Sequence, residues 1–494
     1  MSKVVFVVNS NTIHLYLWKC IERISKEMKG VDITIFLDEN TKRQINHSFN
    51  PVIDLVDSKF SNLKKNPLEL INLTDVITNH KNIKTTNKLK ELTLSDWVIF
   101  ESHYHNSNTF KSYTKNGILL LDLNQINLIN SILSKSLIKL SILYNNQKIN
   151  NWTVISSINL KKEIGLKNNF HKILFNYAIY LTKFLKNTKT TDNETINNTL
   201  IPQNSVKGSL FLKLKVVFYY IKLTLKIFAR KIKKEQFNWK IGVKKNNEIF
   251  FLKQPKKSFW ADPFIVKSND DDLVVYFEEL KSNNLGKISC VKIDSNLEIV
   301  EKEDIIDTEY HLSFPNVFFK NDSYYMIPES SHNNTLQLYK CIQFPFKWEF
   351  KMNLMENIKL LDAAWIHHNG LYWIFANKIE DFEYDNNERL YLYYSENLFS
   401  NEWKPHIKNP IITDASLARN AGDFILEKEK IKRVSQNCMN GYGQNIVINE
   451  VKLLTTNDYA EEKIDEIYPQ KGYVGSHTLN KHKNVSVLDF LIKE

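Results

Sequence analysis

The sequence predicts two folded parts: an α/β sheet domain followed by a five-bladed β-propeller. Three observations carry this expectation. Over residues 1–200, apolar strand-like runs alternate with helically spaced runs, the pattern of a parallel, Rossmann-like sheet. From about residue 237, helical periodicity stops, and short aromatic-rich strands follow one another between Asn, Asp, Gly and Ser turns. Those strands repeat weakly at about fifty residues, the length of a four-stranded propeller blade.

The bulk numbers fit this organisation. A chain of 494 residues exceeds one ordinary core. A hydrophobic fraction of 43% and an aromatic fraction of 12% suit a globular protein and exclude a disordered one. The formal charge is +11, but much of the excess sits in one segment, so no nucleic-acid partner is expected. Cys20, Cys290, Cys341 and Cys438 are far apart and form no CxxC pair, which predicts reduced thiols, no metal site and a cytoplasmic location. The opening "MSKVVFVVNSNTIHLYLW" reads as a first strand rather than a secretion signal. No uncharged apolar run reaches about eighteen residues, so no ordinary membrane span is expected.

In the first part, "KVVFVVNS" (Lys3–Ser10), "VDITIFLDEN" (Val31–Asn40), "SDWVIFESHY" (Ser95–Tyr104) and "NGILLLDLN" (Asn116–Asn124) read as buried strands. "IHLYLWKCIERISKEM" (Ile13–Met28) and "FHKILFNYAIYLTKFLKN" (Phe170–Asn187) have helical spacing. The loop after the first strand, "NSNTIH", has no glycine, so the dinucleotide fingerprint is missing and no cofactor is expected.

Residues 188–205 are polar and read as a linker. A helix is expected over Ser209–Gln236. Lys215, Lys222, Lys226, Arg230 and Lys233 share one stripe, and Val217, Tyr220, Ile221 and Phe228 share the opposite face. Such a helix suits an anionic membrane surface, peripheral at its inner face; it equally suits a linker helix docked on a neighbouring domain. The expected domains are therefore 1–200, a 201–236 linker and 237–494.

In the last part, "WADPFIV", "SFPNVFF", "DAAWIHH", "NAGDFIL" and "SHTLNKH" each open a unit. A tyrosine- or tryptophan-rich strand follows in the first three: "LVVYFEE", "SYYMIPES" and "LYWIFAN". Five openings predict five blades, and a closed ring removes the free sheet edges. The innermost strand of each blade lines a central channel, so side chains at strand starts converge at one mouth. That logic brings Asp262, Asp362 and His477 to the mouth at the first, third and fifth openings. It also brings Glu279 and Glu329 from the ends of second strands, and Arg419 from just before the fourth opening. Each has a plainer structural reading, such as a turn cap for Asp262 before Pro263.

Residues 237–494, through "FWADPF", "HLSFPNVF", "YYMIPES", "DAAW", "GLYWIF", "LYLYYSENL", "WKPH", "ARNAG" and "SHTLN", resemble the five-bladed propeller domain at the N-terminus of glucosamine inositolphosphorylceramide transferases. That domain is similar to the propellers of glycoside hydrolases, whose acidic site has an Asp on blade one, an Asp on blade two and a Glu on blade three. Asp262 in "ADP" matches the first. "SFPNV" offers no aspartate at the second, and the third position offers Asp362. Residues 1–200, through "DWVIFESHYHNSNTFKSYTKNGILLLDLN", resemble more faintly the N-terminal domain of formyltransferases. That family uses an Asn, a His and an Asp. The stretch where it carries its histidine reads "ILLLDLN" here, with His103 and His105 lying earlier.

These resemblances imply a carbohydrate-active protein, with glycosyl transfer onto a nucleotide- or lipid-linked saccharide in cell-surface glycan assembly. Asp262 would be nucleophile or base, Asp362 or Glu329 the general acid, and Glu279, Arg419 and His477 substrate-binding, with Arg419 a bidentate anion clamp. Two alternatives stand beside this: a non-catalytic sugar-binding module that partners a glycosyltransferase, and a sugar N-formyltransferase.

Overall fold

The structure, a computed structural model, describes residues 2–38, 57–58, 66–101, 107–121, 123, 125–134, 137–145, 152–187, 210–233, 237–246, 248–256, 258–267, 272–380 and 386–493. The chain forms two compact units, Met1–Ala229 and Arg230–Glu494.

The first unit is built on a seven-stranded sheet. Its spatial order is Ile83–Thr86, Asp32–Leu37, Lys3–Val8, Ser95–Phe100, Thr114–Leu121, Leu137–Asn145 and Trp152–Lys161. The first five run parallel and the last two pair antiparallel. Lys3–Val8 is buried over most of its length, as a central parallel strand must be. Among the described residues, the α-helices between these parallel strands are Leu15–Glu27 and the five-residue Leu73–Ile77, so the sheet is mostly parallel but the expected Rossmann-like alternation is not shown. The closing antiparallel pair of Leu137–Asn145 and Trp152–Lys161 was not anticipated, because its alternation is broken by Lys and Ser. Helix Leu15–Glu27 presents Tyr16, Leu17, Trp18, Cys20, Ile21 and Ile24 to the core. Helix Leu166–Asn187 starts on Asp57, whose carboxylate accepts from the Leu166 and Lys167 amides at 2.7 and 3.0 Å. The 188–205 segment, His103 and His105 lie outside the described residues.

The second unit is a closed ring of five antiparallel blades. Blade one is Trp260–Lys267, Leu273–Leu280, Gly286–Ile293 and Ile299–Ile306. Blade two is Ser313–Lys320, Ser323–Glu329, Thr335–Gln343 and Lys347–Glu356. Blade three holds Leu360–His368, Leu371–Lys378 and Arg389–Ser395, and blade four holds Arg419–Asn420, Lys430–Asn437, Asn445–Leu454 and Tyr459–Ile467. In blade five, Leu479–His482 and Val485–Lys493 come from the end of the sequence, while Phe237–Lys245 and Glu248–Phe251 come from the start of the second unit. Phe237–Lys245 pairs with Val485–Lys493 along its whole length and latches the ring.

Each neighbouring pair of blades shares an apolar cluster. Trp260, Phe277 and Val487 join blades five and one. Tyr276, Leu312 and Met326 join one and two. Leu354, Leu360 and Tyr391 join two and three, Trp373, Leu390 and Ala418 join three and four, and Val434, Leu479 and Phe490 join four and five. The aromatic strands noted in the sequence are thus inter-blade packing.

Candidate functional site

The inner strands of blades one to three carry the same irregularity. Register slips between Ala261 and Phe264, between Ser313 and Asn316, and between Leu361 and Ala364. Each slip is a β-bulge with one residue in the left-handed region: Asp262 at φ 52°, Phe314 at φ 45° and Asp362 at φ 47°. Asp tolerates this conformation better than other side chains. An acidic residue therefore stands at the head of a buried strand because the bulge re-aims it. In blade two the equivalent place is taken by Phe314, which packs edge-on against Phe264 at 5.0 Å.

Beside each bulge, the second strand contributes a polar residue. The pairs are Ala261 with Glu278, Ser313 with Glu329, Leu361 with Asn377 and Arg419 with Gln436. In blade five, Asp489 accepts from the His477 and Thr478 amides, both at 2.9 Å. All five of these second-strand residues are buried.

Two charged clusters result. In the first, His477 sits between two carboxylates, with Nε2 3.0 Å from Asp262 and Nδ1 2.9 Å from Asp489. Asp262 also accepts from Thr478 Oγ1 at 2.7 Å and the Phe314 amide at 3.2 Å, and its own amide donates to Asp489 at 3.1 Å. Burial opposes a charge on His477, but Asp489 and Asp262 outweigh it and raise its pKa well above the usual histidine value. Burial likewise disfavours the Asp262 anion, yet His477, Thr478 and Arg419 hold its carboxyl below the ordinary range.

In the second cluster, Arg419 grips Asp362 with both arms, Nε at 2.6 Å and Nη2 at 3.2 Å, and its Nη1 donates to Asn387 at 3.0 Å. Glu329 accepts from the Asp362 amide at 3.3 Å and from Ser331 Oγ at 2.9 Å. Burial, then the Asp362 charge, push the Glu329 carboxyl up to about 8 against the opposing pull of Arg419. Glu278, 3.3 Å from His311 Nε2, is also raised well above its usual value, by burial and then by Asp262; Glu329 and Asp362 push in the same direction and His477 opposes. Glu278 therefore lies within electrostatic reach of both clusters.

Tyr442 spans them. Its ring lies 5.2 Å from the Arg419 guanidinium and 5.0 Å from the His477 ring, and it is 42% exposed. Gly443 makes this placement feasible. It has φ 63°, and a Cβ there would fall 2.7 Å from that of His477 and 3.1 Å from Trp239.

Asp262, Glu329, Asp362, Arg419 and His477 thus enter these two clusters. Glu279 does not. The pleat turns it towards the outer strands of its own blade, where it meets Trp260 Nε1 at 3.1 Å, Ser289 Oγ at 2.7 Å and Lys302 Nζ at 2.9 Å. Its neighbour Glu278 takes the inward place. Asp489, Gln436 and Tyr442 were also missed. Arg419 is occupied by Asp362, so it holds that carboxylate in place rather than standing open to an anion. Among the described residues, Asp262, His477 and Asp489 present atoms that could ligate a metal, all within 4.8 Å of one another. A metal ligand must be neutral imidazole, so a cation would compete with the protonated His477 for one position.

Residues 251–486 match the family described as glucosamine inositolphosphorylceramide transferase 1, N-terminal. The propeller is similar to that domain. The Arabidopsis thaliana protein named glucosamine inositolphosphorylceramide transferase 1 is 33% identical over 211 residues, 42% of this chain and 27% of that protein. Its namesake from Oryza sativa subsp. japonica is 28% identical over 211 residues, covering 42% and 28%. The chain thus spans about a quarter of the length of these curated relatives. Among solved structures, a family 117 glycoside hydrolase from Zobellia galactanivorans, Zg3597, covers 52% of this chain and 90% of its own at 9% identity, with a TM-score of 0.37. The family match covers none of residues 1–250, and the formyltransferase resemblance of residues 1–200 finds no support in it.

Proposed function

We propose that the propeller is a carbohydrate-active domain that transfers a glycosyl group onto a nucleotide- or lipid-linked saccharide, with Glu329 as the proton donor. The observation that carries this reading is the buried Glu329 carboxyl, pushed up to about 8 beside an Asp362 that Arg419 holds in place. A group of that kind is still protonated at neutral pH and can deliver its proton to a departing sugar oxygen. Glu278 is a second nearby acid whose carboxyl burial and Asp262 raise well above its usual value, and Asp262, held below the ordinary range, is the carboxylate available as base or nucleophile. The ring of Tyr442 is exposed and offers a flat apolar face to a sugar. The likeness to a glucosamine inositolphosphorylceramide transferase supports sugar chemistry over other uses of the same acids.

A specific observation favours a second reading, a binding module without turnover. Asp262 spends both oxygens on Thr478, His477 and the Phe314 amide, and Phe314 occupies the blade-two place of an acid.

The test is a mass-spectrometric screen of nucleotide sugars against lipid-linked and free saccharide acceptors. Native protein should give a glycosylated product, and Glu329→Gln should slow its formation about 10²-fold or more. Saccharide binding without any product, unchanged by Glu329→Gln, would replace transfer with the binding module.

A further inference from the structure

The helix Leu210–Lys233 carries two apolar faces, and only one is used inside the first unit. Val216 and Tyr220, one turn apart, are buried. The Tyr220 hydroxyl donates to Asp57 and receives the Leu166 amide at 3.1 Å, which pins the helix to the start of Leu166–Asn187. The opposite face is Leu214, Val217, Phe218, Ile221, Leu225 and Phe228. Their spacing of three and four residues places them on one stripe, and they are 45% to 68% exposed. Lys215, Lys222 and Lys226 run along one edge of that stripe and are all exposed. No acidic residue occurs between Leu210 and Lys233.

This pattern specifies its surroundings. Six large apolar side chains along about 21 Å of helix are costly in water. Among the described residues, Thr224 is the uncharged hydrogen-bonding side chain beside the stripe, and its hydroxyl is turned back onto the Tyr220 carbonyl at 2.9 Å. The face therefore has almost nothing with which to read a partner's polar groups in a fixed direction. A lipid surface asks only for apolar depth and opposite charge, and the stripe with its basic edge supplies both. Among the described residues no helix is long and apolar enough to cross a membrane, so the helix would lie in the interface. We propose that this outward face docks the protein on an anionic membrane surface, with the apolar stripe in the acyl boundary and Lys222 and Lys226 against lipid phosphates. The placement does not depend on the chemistry of the propeller.

The test uses the full chain with sedimented vesicles of phosphatidylcholine alone or with 30% (roughly, the anionic content that gives a strong surface potential) phosphatidylglycerol. Two lysines should make binding to the anionic vesicles about thirtyfold tighter than to the neutral ones. The preference should shrink as salt rises from about 0.05 to 0.5 M. The double variant Phe218→Asp, Leu225→Asp alters only exposed positions. It should abolish binding while circular dichroism and the elution volume stay those of native protein. No binding to anionic vesicles at low salt would overturn the proposal, as would equal binding to both compositions. A dimer that the double variant converts to monomer would assign the face to a second copy of the chain and overturn it too.

Discussion

Glu329→Gln should make the propeller progressively more stable than the native protein as pH rises. Burial and the Asp362 charge hold the native carboxyl at about 8, against an ordinary glutamate value of 4.5. Between those values the folded protein keeps a proton that the unfolded chain has released, so native stability falls with rising pH until the carboxyl ionises near 8. Each pH unit in that window is worth about 1.4 kcal/mol. From pH 5 to pH 9, Glu329 alone therefore costs the native fold on the order of 4 kcal/mol. Glutamine stays neutral and nearly isosteric. It can accept from the Asp362 amide and donate to Ser331 Oγ, so the local bonds survive. Glu278 and His477 are also raised and give slopes of the same sign; His477 is common to both proteins and cancels in the difference, while Glu278 loses only the push of the ionised Glu329, which acts above about pH 8. The assay is urea unfolding at pH 5, 7 and 9, read by hydrogen exchange on propeller peptides so that the first unit does not contribute. A stability difference that changes by less than about 1 kcal/mol between pH 5 and pH 9 would refute the claim that Glu329 is a neutral buried acid.

Two further outcomes are expected. Asp489→Ala deprives the His477, Thr478 and Asp262 amides of their acceptor and leaves His477 with one counter-charge instead of two. At about 1–3 kcal/mol per orphaned donor the loss should reach about 3–5 kcal/mol, visible in the same urea titration; a loss below about 1 kcal/mol would mean the blade-five seam is held elsewhere. Glu278→Gln and Glu279→Gln should separate cleanly by isothermal titration with whichever saccharide the screen identifies: the first should weaken binding several-fold, and the second should leave it unchanged.

The five blades were legible because each opens on a similar short strand, and in the first three an aromatic-rich strand follows it. The strand-end acids were only partly legible. A β-bulge adds one residue to the inner strand, and a shift of one residue exchanges the two faces of a pleated sheet. In "YFEE" that exchange selects Glu278 over Glu279, whereas "MIPES" has a single acid and leaves no choice. Superposing "VYFE", "MIPE" and "IFAN" would have shown the common position, since Phe277, Pro328 and Ala376 align and a polar residue follows each. Asp489 was invisible because the fifth blade takes its first two strands from the end of the sequence and the other two from residues 237–251. In the basic helix, Tyr220 was grouped with Val217, Ile221 and Phe228. The structure buries it with Val216 instead, because a helix apolar on two sides gives one broad stripe in a periodicity count.

The arrangement of the propeller clusters has a consequence for how a proton could be stored there. Arg419 engages Asp362 with two hydrogen bonds and stands 3.9 Å from Glu329. The favoured partner of the guanidinium is thus Asp362, and the Asp362 charge helps push the Glu329 carboxyl up. Across the mouth, His477 and Thr478 engage Asp262, whose proton affinity is depressed while that of Glu278 is raised. Each cluster therefore sets an aspartate paired with a cation against a buried glutamate whose carboxyl is raised. The left-handed bulges at Asp262 and Asp362 put the aspartates where the cations reach them, and the adjoining second strands supply the glutamates. Packing alone would not call for two buried glutamates at equivalent strand positions, because a neutral residue such as Asn377 fills the same place in blade three without a titration penalty. Two buried acids that destabilise the fold above their ordinary pKa are the physical ground for the proposal that this mouth is the reactive part of the molecule.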